Sequence, residues 1–156
     1  MSTSVRVDPP DTVLVPVDGS ELSKRALAVA IDEHPDAEVI VLHVIDPGEP
    51  GYSYPIEVDP EIEPRHGSEA WLERSHELAE RLFDEAETIA DERGGSVRTE
   101  TVVGRAARAV VEFAEEHEVD AIVVGGHGRD DPANPLLGSV TEAVVFRSPV
   151  RVTVVK

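Results

Sequence analysis

The sequence AIVVGGHG at residues 121–128, followed after nine residues by GSVTE at residues 138–142, decides the fold of this chain. Its first part is an aliphatic run that ends in glycines, which is typical of a strand buried on both faces of a parallel sheet. Its second part predicts the start of a helix, because Ser139 and Glu142 have the spacing of a capping box. A buried strand that leads through a glycine-rich loop into a helix indicates an α/β domain.

The rest of the chain repeats this alternation. Short β-branched runs predict five strands, at residues 12–17, 38–45, 97–102, 121–125 and 150–155. Apolar residues at spacings of three and four predict four helices, at residues 21–33, 69–93, 106–118 and 139–147. This order predicts a three-layer, Rossmann-like α/β fold with right-handed crossovers and a mostly parallel, five-stranded sheet.

The length of 156 residues is about that of one domain. We therefore expect an N-terminal tail at residues 1–11 and a single domain at residues 12–156. Within that domain, residues 46–66 are rich in prolines and carboxylates and predict a long acidic loop. A loop of this kind is either a solvated linker or a flap over a site.

Composition excludes several classes of function. The chain has 32 Asp and Glu against 14 Lys and Arg, a net charge of -18, which disfavours electrostatic binding to nucleic acid or to an anionic membrane. The lack of cysteine excludes disulfides, thiolate nucleophiles and cysteine-ligated metal sites, and the histidines show no zinc spacing. Because no long apolar run occurs, we expect no signal peptide and no membrane anchor, and a cytoplasmic protein.

The loops after strands one and four hold the candidate site, because open α/β sheets bind ligands beyond the carboxyl ends of their strands. After strand one, Asp18 offers a carboxylate and Ser20 an N-cap, although both residues could serve only to shape the turn. After strand four, glycines allow close approach to the backbone, and Gly138 and Ser139 lie at a helix N-terminus that attracts anions. These features predict a phosphate cradle without a lysine. Neither GxxxxGK[ST] nor GxGxxG occurs.

These motifs carry a family resemblance. The spacing G-2x-G-9x-G-[ST] from Gly125 to Ser139, together with PVD at residues 16–18 and HVID at residues 43–46, resembles the universal stress protein family. The similarity extends from about residue 12 to residue 156, and the glycine spacing is the ATP-binding signature of that family.

The resemblance implies the strand order 3-2-1-4-5, with strands one and four side by side. It also implies that Asp18 and the backbone of Val44 hold the adenosine, with Gly125 near the ribose. The phosphates are then contacted around the signature, where the implied contacts are Gly128, Gly138, Ser139 and Val140. The implied nucleotide-binding set is completed by the neighbouring residues Pro16, Val17, Arg129 and Thr141, although Arg129 could instead pair with Asp130 or Asp131.

The implied ligand is ATP, or ADP or AMP, and the implied assembly is a homodimer formed through the last strand at residues 150–155. Two positions depart from the family pattern. Gly126 replaces the usual serine, and Asp130 and Asp131 follow Arg129 where small or basic residues are more common. Two carboxylates near a triphosphate repel it unless they point to solvent or a divalent cation lies between, so we expect Mg²⁺ or Mn²⁺ to bridge the phosphates.

We therefore predict a homodimeric ATP-binding protein with a stress-response or regulatory role, whose protein partner the sequence does not identify. No residue is an obvious base for an attacking water, so any ATP hydrolysis should be slow. The alternatives are a dimeric interaction module that works without a nucleotide and a weak ATPase.

The acidity also describes the solvent. Twelve of the 14 basic residues are arginine, and this bias resembles that of haloarchaeal proteins, although ordinary acidic solubility is the alternative. At molar salt the Debye length falls to about 3 Å, so an acidic protein can bind an anionic ligand.

Overall fold

The computed structural model describes residues 7–48, 68–126 and 137–156. Strands and helices follow the predicted order, and their ends lie within two residues of the predicted ones. The strands are β1 (Thr12–Pro16), β2 (Glu38–Ile45), β3 (Arg98–Val103), β4 (Ala121–Gly125) and β5 (Arg151–Val155). The helices are α1 (Glu21–Glu33), α2 (Glu69–Glu92), α3 (Ala106–Glu116) and α4 (Ser139–Arg147).

The five strands form one parallel sheet in the order β3-β2-β1-β4-β5, which confirms the predicted topology. The central strands β1, β2 and β4 are buried almost along their whole length. The edge strands β3 and β5 are partly exposed, because each has a neighbour on only one side. Uninterrupted aliphatic runs are therefore found where the sheet is covered on both faces.

Two cores, one on each face, make the domain three-layered. Val13 and Val15 of β1 point to a core formed with α1 and α2, whereas Leu14 points to a core formed with α3 and α4. Side chains of a strand alternate between the faces, so one short strand contributes to both cores. In the described part of the chain, no helix combines the length and the apolar character that a membrane span requires.

The helices begin in different ways. Ser20 caps α1 as predicted, since its hydroxyl oxygen accepts a hydrogen bond from the Ser23 amide at 3.2 Å. The predicted capping box of α4 is wrong. Gly138 occupies the N-cap position and Ser139 is the first helical residue, so the serine lies one position too late to cap the helix. The amino terminus of α4 is thus placed as predicted, but no side-chain cap bond is formed there.

Candidate functional site

The candidate site lies at the carboxyl ends of β1 and β4, which are neighbouring parallel strands. The register of β1 with β2 runs from Thr12 opposite Glu38 to Pro16 opposite Leu42. Between β1 and β4, Val13 pairs with Ala121 and Leu14 with Ile122, in the first half of each strand. The strand order also reverses at this pair, and this is the position where open α/β sheets bind ligands.

One wall of the candidate site is the turn between β1 and α1. Pro16 and Val17 are buried, and the Asp18 side chain is half-buried. The Asp18 Oδ1 atom accepts a hydrogen bond from the Ser20 amide at 2.9 Å, which fixes the carboxylate over the start of α1. Asp18 therefore both shapes the turn and lies at the carboxyl edge of the sheet, so the two roles predicted for it are compatible.

His43 supports this wall, and its role was not predicted. Its fully buried ring donates through Nδ1 to the Val17 carbonyl oxygen at 2.8 Å, while the Val17 amide donates to the Leu42 carbonyl oxygen at 2.9 Å. The peptide groups on both sides of Val17 are thus held by β2. This arrangement fixes the backbone directly before Asp18.

The opposite wall begins at Gly125 and Gly126, which are both buried. A Cβ atom at Gly125 would lie 3.0 Å from the Leu22 carbonyl carbon of α1. The missing side chain therefore allows α1 to pack closely on the end of β4. The sequence prediction assigned this glycine to close approach of a ligand, whereas in the described residues its Cβ position faces a helix.

The amino terminus of α4 completes the opposite wall. The Gly138 amide donates to the Gly126 carbonyl oxygen at 2.8 Å, which fixes the helix start to the end of β4. The first bond within the helix runs from the Glu142 amide to the Gly138 carbonyl oxygen. The amides of Ser139 and Val140 belong to the first turn, where N–H groups lack intrahelical partners and the helix dipole is positive. These donors suit an anion.

Two other predicted residues lie deeper. Val44 is fully buried in the core beneath α3 and α4, and it stands in register with Val102 of β3. Thr141 is buried on α4, and its Oγ1 donates to the Gly125 carbonyl oxygen at 2.7 Å. The hydroxyl of Thr141 is therefore engaged inside the fold.

Some predicted features lie outside the described residues. They include Gly128 and Arg129, the neighbouring Asp130 and Asp131, and most of the acidic loop at residues 46–66. Within residues 7–48, 68–126 and 137–156, no three or more His, Asp or Glu side chains group closely enough to hold a metal ion.

Asp46 is a second residue whose role the sequence did not reveal. Its buried carboxylate accepts hydrogen bonds from the Gly48 amide at 2.8 Å and from the Ala106 amide at 2.9 Å. Ala106 is the first residue of α3, whose N-cap residue Arg105 makes no side-chain cap bond. A carboxylate directly after β2 thus caps a helix 60 residues later in the chain.

Known proteins resemble this chain over nearly its whole length. The model of the universal stress protein family matches residues 10–156. Universal stress protein MJ0531 of Methanocaldococcus jannaschii is 34% identical over 148 residues, which cover 92% of this chain and 81% of that protein. The structure of UspA from Lactobacillus plantarum matches with a TM-score of 0.73 and 25% identity, covering 93% of this chain and 97% of that one. A universal stress protein in complex with cAMP matches with a TM-score of 0.66 and 26% identity, covering 96% and 99%.

Proposed function

This chain belongs to the universal stress protein family, and we propose that it binds an adenine nucleotide, ATP in particular, at the carboxyl ends of β1 and β4. The observation that carries the proposal is the placement of the α4 amino terminus. The Gly138 amide bond to Gly126 fixes that terminus at the point where the strand order reverses. Amides of the first turn, which have no partner within the helix, would supply phosphate recognition without a lysine.

The two walls suit different parts of the ligand. Asp18 holds its Oδ1 atom on the Ser20 amide, and we assign its other carboxylate oxygen to a donor group of the adenosine. The amides of Ser139 and Val140 are assigned to the phosphates. The relative that was solved with cAMP supports an adenine nucleotide as the ligand class.

We also infer that Mg²⁺ or Mn²⁺ bridges the phosphates. Since the described residues offer no cluster of metal ligands, the phosphate oxygens themselves would supply most of the coordination. A divalent ion lowers the negative charge that a protein of net charge -18 must accept. A cytoplasmic location, where ATP is available, belongs to this proposal.

The proposed assembly is a homodimer through β5. This strand forms one edge of the sheet and has β4 as its neighbour, so its outer side offers backbone groups for pairing. Phe146 of α4, the helix that precedes β5 in the chain, is 79% exposed, and its exposure favours the second candidate function. In that reading the chain is an interaction module whose partner binds whether or not a nucleotide is present.

The test starts with purified protein that is denatured in order to release its ligands. Anion-exchange chromatography should show an adenine nucleotide, and calorimetry in concentrated KCl should show binding of ATP with Mg²⁺. Gly138→Leu should weaken ATP binding at least about tenfold, a loss of about 1.4 kcal/mol. The matched control is Gly104→Leu, because Gly104 also precedes a helix but lies at the end of β3, with its Cβ position 3.8 Å from the nearest atom.

The outcomes separate the candidate functions. Absence of copurified nucleotide together with absence of ATP binding would refute the proposal. An interaction module predicts that Gly138→Leu leaves partner capture intact, and a weak ATPase predicts steady release of ADP or AMP from ATP.

We further propose that the protein works in a salt-rich cytoplasm. Its acidic side chains repel one another when salt is dilute, so folding, dimerisation and ATP binding should all weaken as KCl falls from molar to about 0.1 M. Circular dichroism and light scattering across this range measure the effect. A dimer that is insensitive to dilution would contradict the salt adaptation but not the nucleotide site.

A further inference from the structure

We propose that Thr141 is a positioning residue that sets the spacing between the end of β4 and the first turn of α4, and thereby the affinity for the phosphates of the nucleotide. The inference rests on the proposed function. It goes beyond that function because it assigns the hydroxyl an indirect role, through the backbone, instead of a contact with the ligand.

The geometry consists of two bonds between the same two segments. Thr141 is 5% exposed, and its Oγ1 donates to the Gly125 carbonyl oxygen at 2.7 Å. The Gly138 amide donates to the next carbonyl oxygen, that of Gly126, at 2.8 Å. Consecutive carbonyl groups of β4 and the residue after it are therefore bonded to the N-cap and to the first turn of α4. Together the two bonds fix both the distance and the orientation of the first turn of α4 relative to the end of β4.

The choice of residue supports a long-range role. A threonine in a helix commonly donates to the carbonyl group four residues earlier in its own helix. Thr88 of α2 does so, with its hydroxyl on the Asp84 carbonyl oxygen at 3.0 Å. Thr141 is the third residue of α4, so no carbonyl group four residues earlier belongs to its own helix, and its hydroxyl bonds to a strand residue 16 positions away. Thr141 also lies in the first turn of α4, and rotation of that turn would move the amides that we assign to the phosphates.

The two ends of this link lie at different parts of the proposed site, within the same wall. Gly125 belongs to the adenosine end of the proposed site, and the amides of Ser139 and Val140 belong to the phosphate end. Losing the Thr141 hydroxyl should therefore leave adenosine recognition intact. It should cost affinity in proportion to the contacts made with phosphate groups.

The test compares two ligands on three proteins by calorimetry in concentrated KCl with Mg²⁺. Thr141→Val keeps the shape of the side chain and removes the donor, so ATP binding should weaken about tenfold while adenosine binding changes less than about twofold. Thr141→Ser restores a donor and should recover most of the ATP affinity. An equal loss for both ligands, or normal ATP binding by Thr141→Val, would overturn the proposal. If Thr141→Val does not fold, Thr141→Cys replaces it, since a thiol is a weak donor.

A measurement without nucleotide separates this proposal from the proposed function. The Gly138 amide should exchange its hydrogen about tenfold faster in Thr141→Val than in the wild type. In that variant, of the two bonds, the one from the Gly138 amide alone still joins the start of α4 to the end of β4. The Val123 amide, in the middle of β4, should be unaffected. Unchanged exchange at Gly138 overturns the positioning role alone. A wild-type chain that binds neither ATP nor adenosine overturns the proposed function and the phosphate role together.

Discussion

Two aspartates hold the opposite ends of the sheet, and their surroundings differ. At the carboxyl end, Asp46 accepts the amides of Gly48 and Ala106 at 2.8 and 2.9 Å and is 3% exposed. At the amino end, exposed Asp120 accepts the amides of Asp11 and Thr12, both at 3.0 Å. At the site end the bond to the Ala106 amide is buried and the bond to the Gly48 amide is partly buried, whereas both bonds at the amino end are exposed.

A second pair of positions shows the same contrast, and it involves both ends of α1. At the carboxyl end, a Cβ atom at Gly125 would lie 3.0 to 3.1 Å from backbone atoms of Leu22. At the amino end, a Cβ atom at Gly95 would meet the Ile31 Cγ2 atom at 3.0 Å, which belongs to a side chain. At these two positions, the site end is therefore packed against backbone atoms, whereas the amino end is packed against a side chain.

The largest effect is expected for Asp46→Ala. The substitution leaves two backbone donors without the carboxylate, and the Ala106 amide is buried where water cannot replace it. We expect the free energy of unfolding to fall by about 4 kcal/mol, since an unsatisfied buried donor costs about 1 to 3 kcal/mol and a bond to a charged acceptor is stronger than a neutral one. Urea denaturation at a fixed KCl concentration measures the loss.

Asp120→Ala is the matched control for Asp46→Ala. It also removes two bonds to backbone amides, but water can solvate the amides of Asp11 and Thr12, so the loss should be about 1 kcal/mol or less. Equal losses in the two variants would show that burial does not govern these bonds, and the contrast between the two ends would then fail.

The fold could be predicted well because its signals are local. Continuous aliphatic runs at residues 38–45 and 121–125 are long enough to identify buried strands, and turn residues mark their ends. The order of the strands came from the family resemblance, because a hydrophobic pattern does not state which strands are neighbours. The start of α4 was placed correctly, but its cap was assigned to Ser139. The residue pattern of a capping box does not reveal whether the serine or the glycine before it is the first non-helical residue.

The site could be predicted only in part. Asp18 and Gly138 lie at one end of the sheet, as expected for residues that follow parallel strands. The bonds that hold the site together were not predictable, since they join residues far apart in the chain. His43 contacts a carbonyl group 26 residues earlier, and Asp46 an amide 60 residues later. Nothing in the local sequence distinguishes such a buried polar residue from a solvated one.

A smaller effect is expected for Gly125→Ala. The added methyl group meets backbone atoms of Leu22, which can yield only if the first turn of α1 moves. Overpacking of this kind costs about 1 to 3 kcal/mol, so we expect a loss of about 2 kcal/mol in urea denaturation without nucleotide. Gly126→Ala tests whether any methyl group at this turn is harmful. Its Cβ position lies 3.4 Å or more from its neighbours, so that variant should be close to the wild type.

Gly95→Ala should have a smaller effect than Gly125→Ala, about 1 kcal/mol, because its Cβ position meets one side-chain atom, Ile31 Cγ2, and not the backbone. That atom has to shift by a few tenths of an ångström, which twists a buried β-branched side chain slightly off its preferred rotamer. If Gly95→Ala destabilises the protein as much as Gly125→Ala does, the amino end is as rigid as the site end.

The results for Gly125→Ala also decide what this glycine does. If Gly125→Ala keeps full stability but loses ATP binding, the glycine serves the ligand, as the sequence motif suggests, and the close packing of α1 is incidental. If Gly125→Ala loses stability without nucleotide, the glycine is needed for the packing of α1 on the end of β4. The packing of α1, which Ser20 caps, is then one reason why the signature has a glycine at this position.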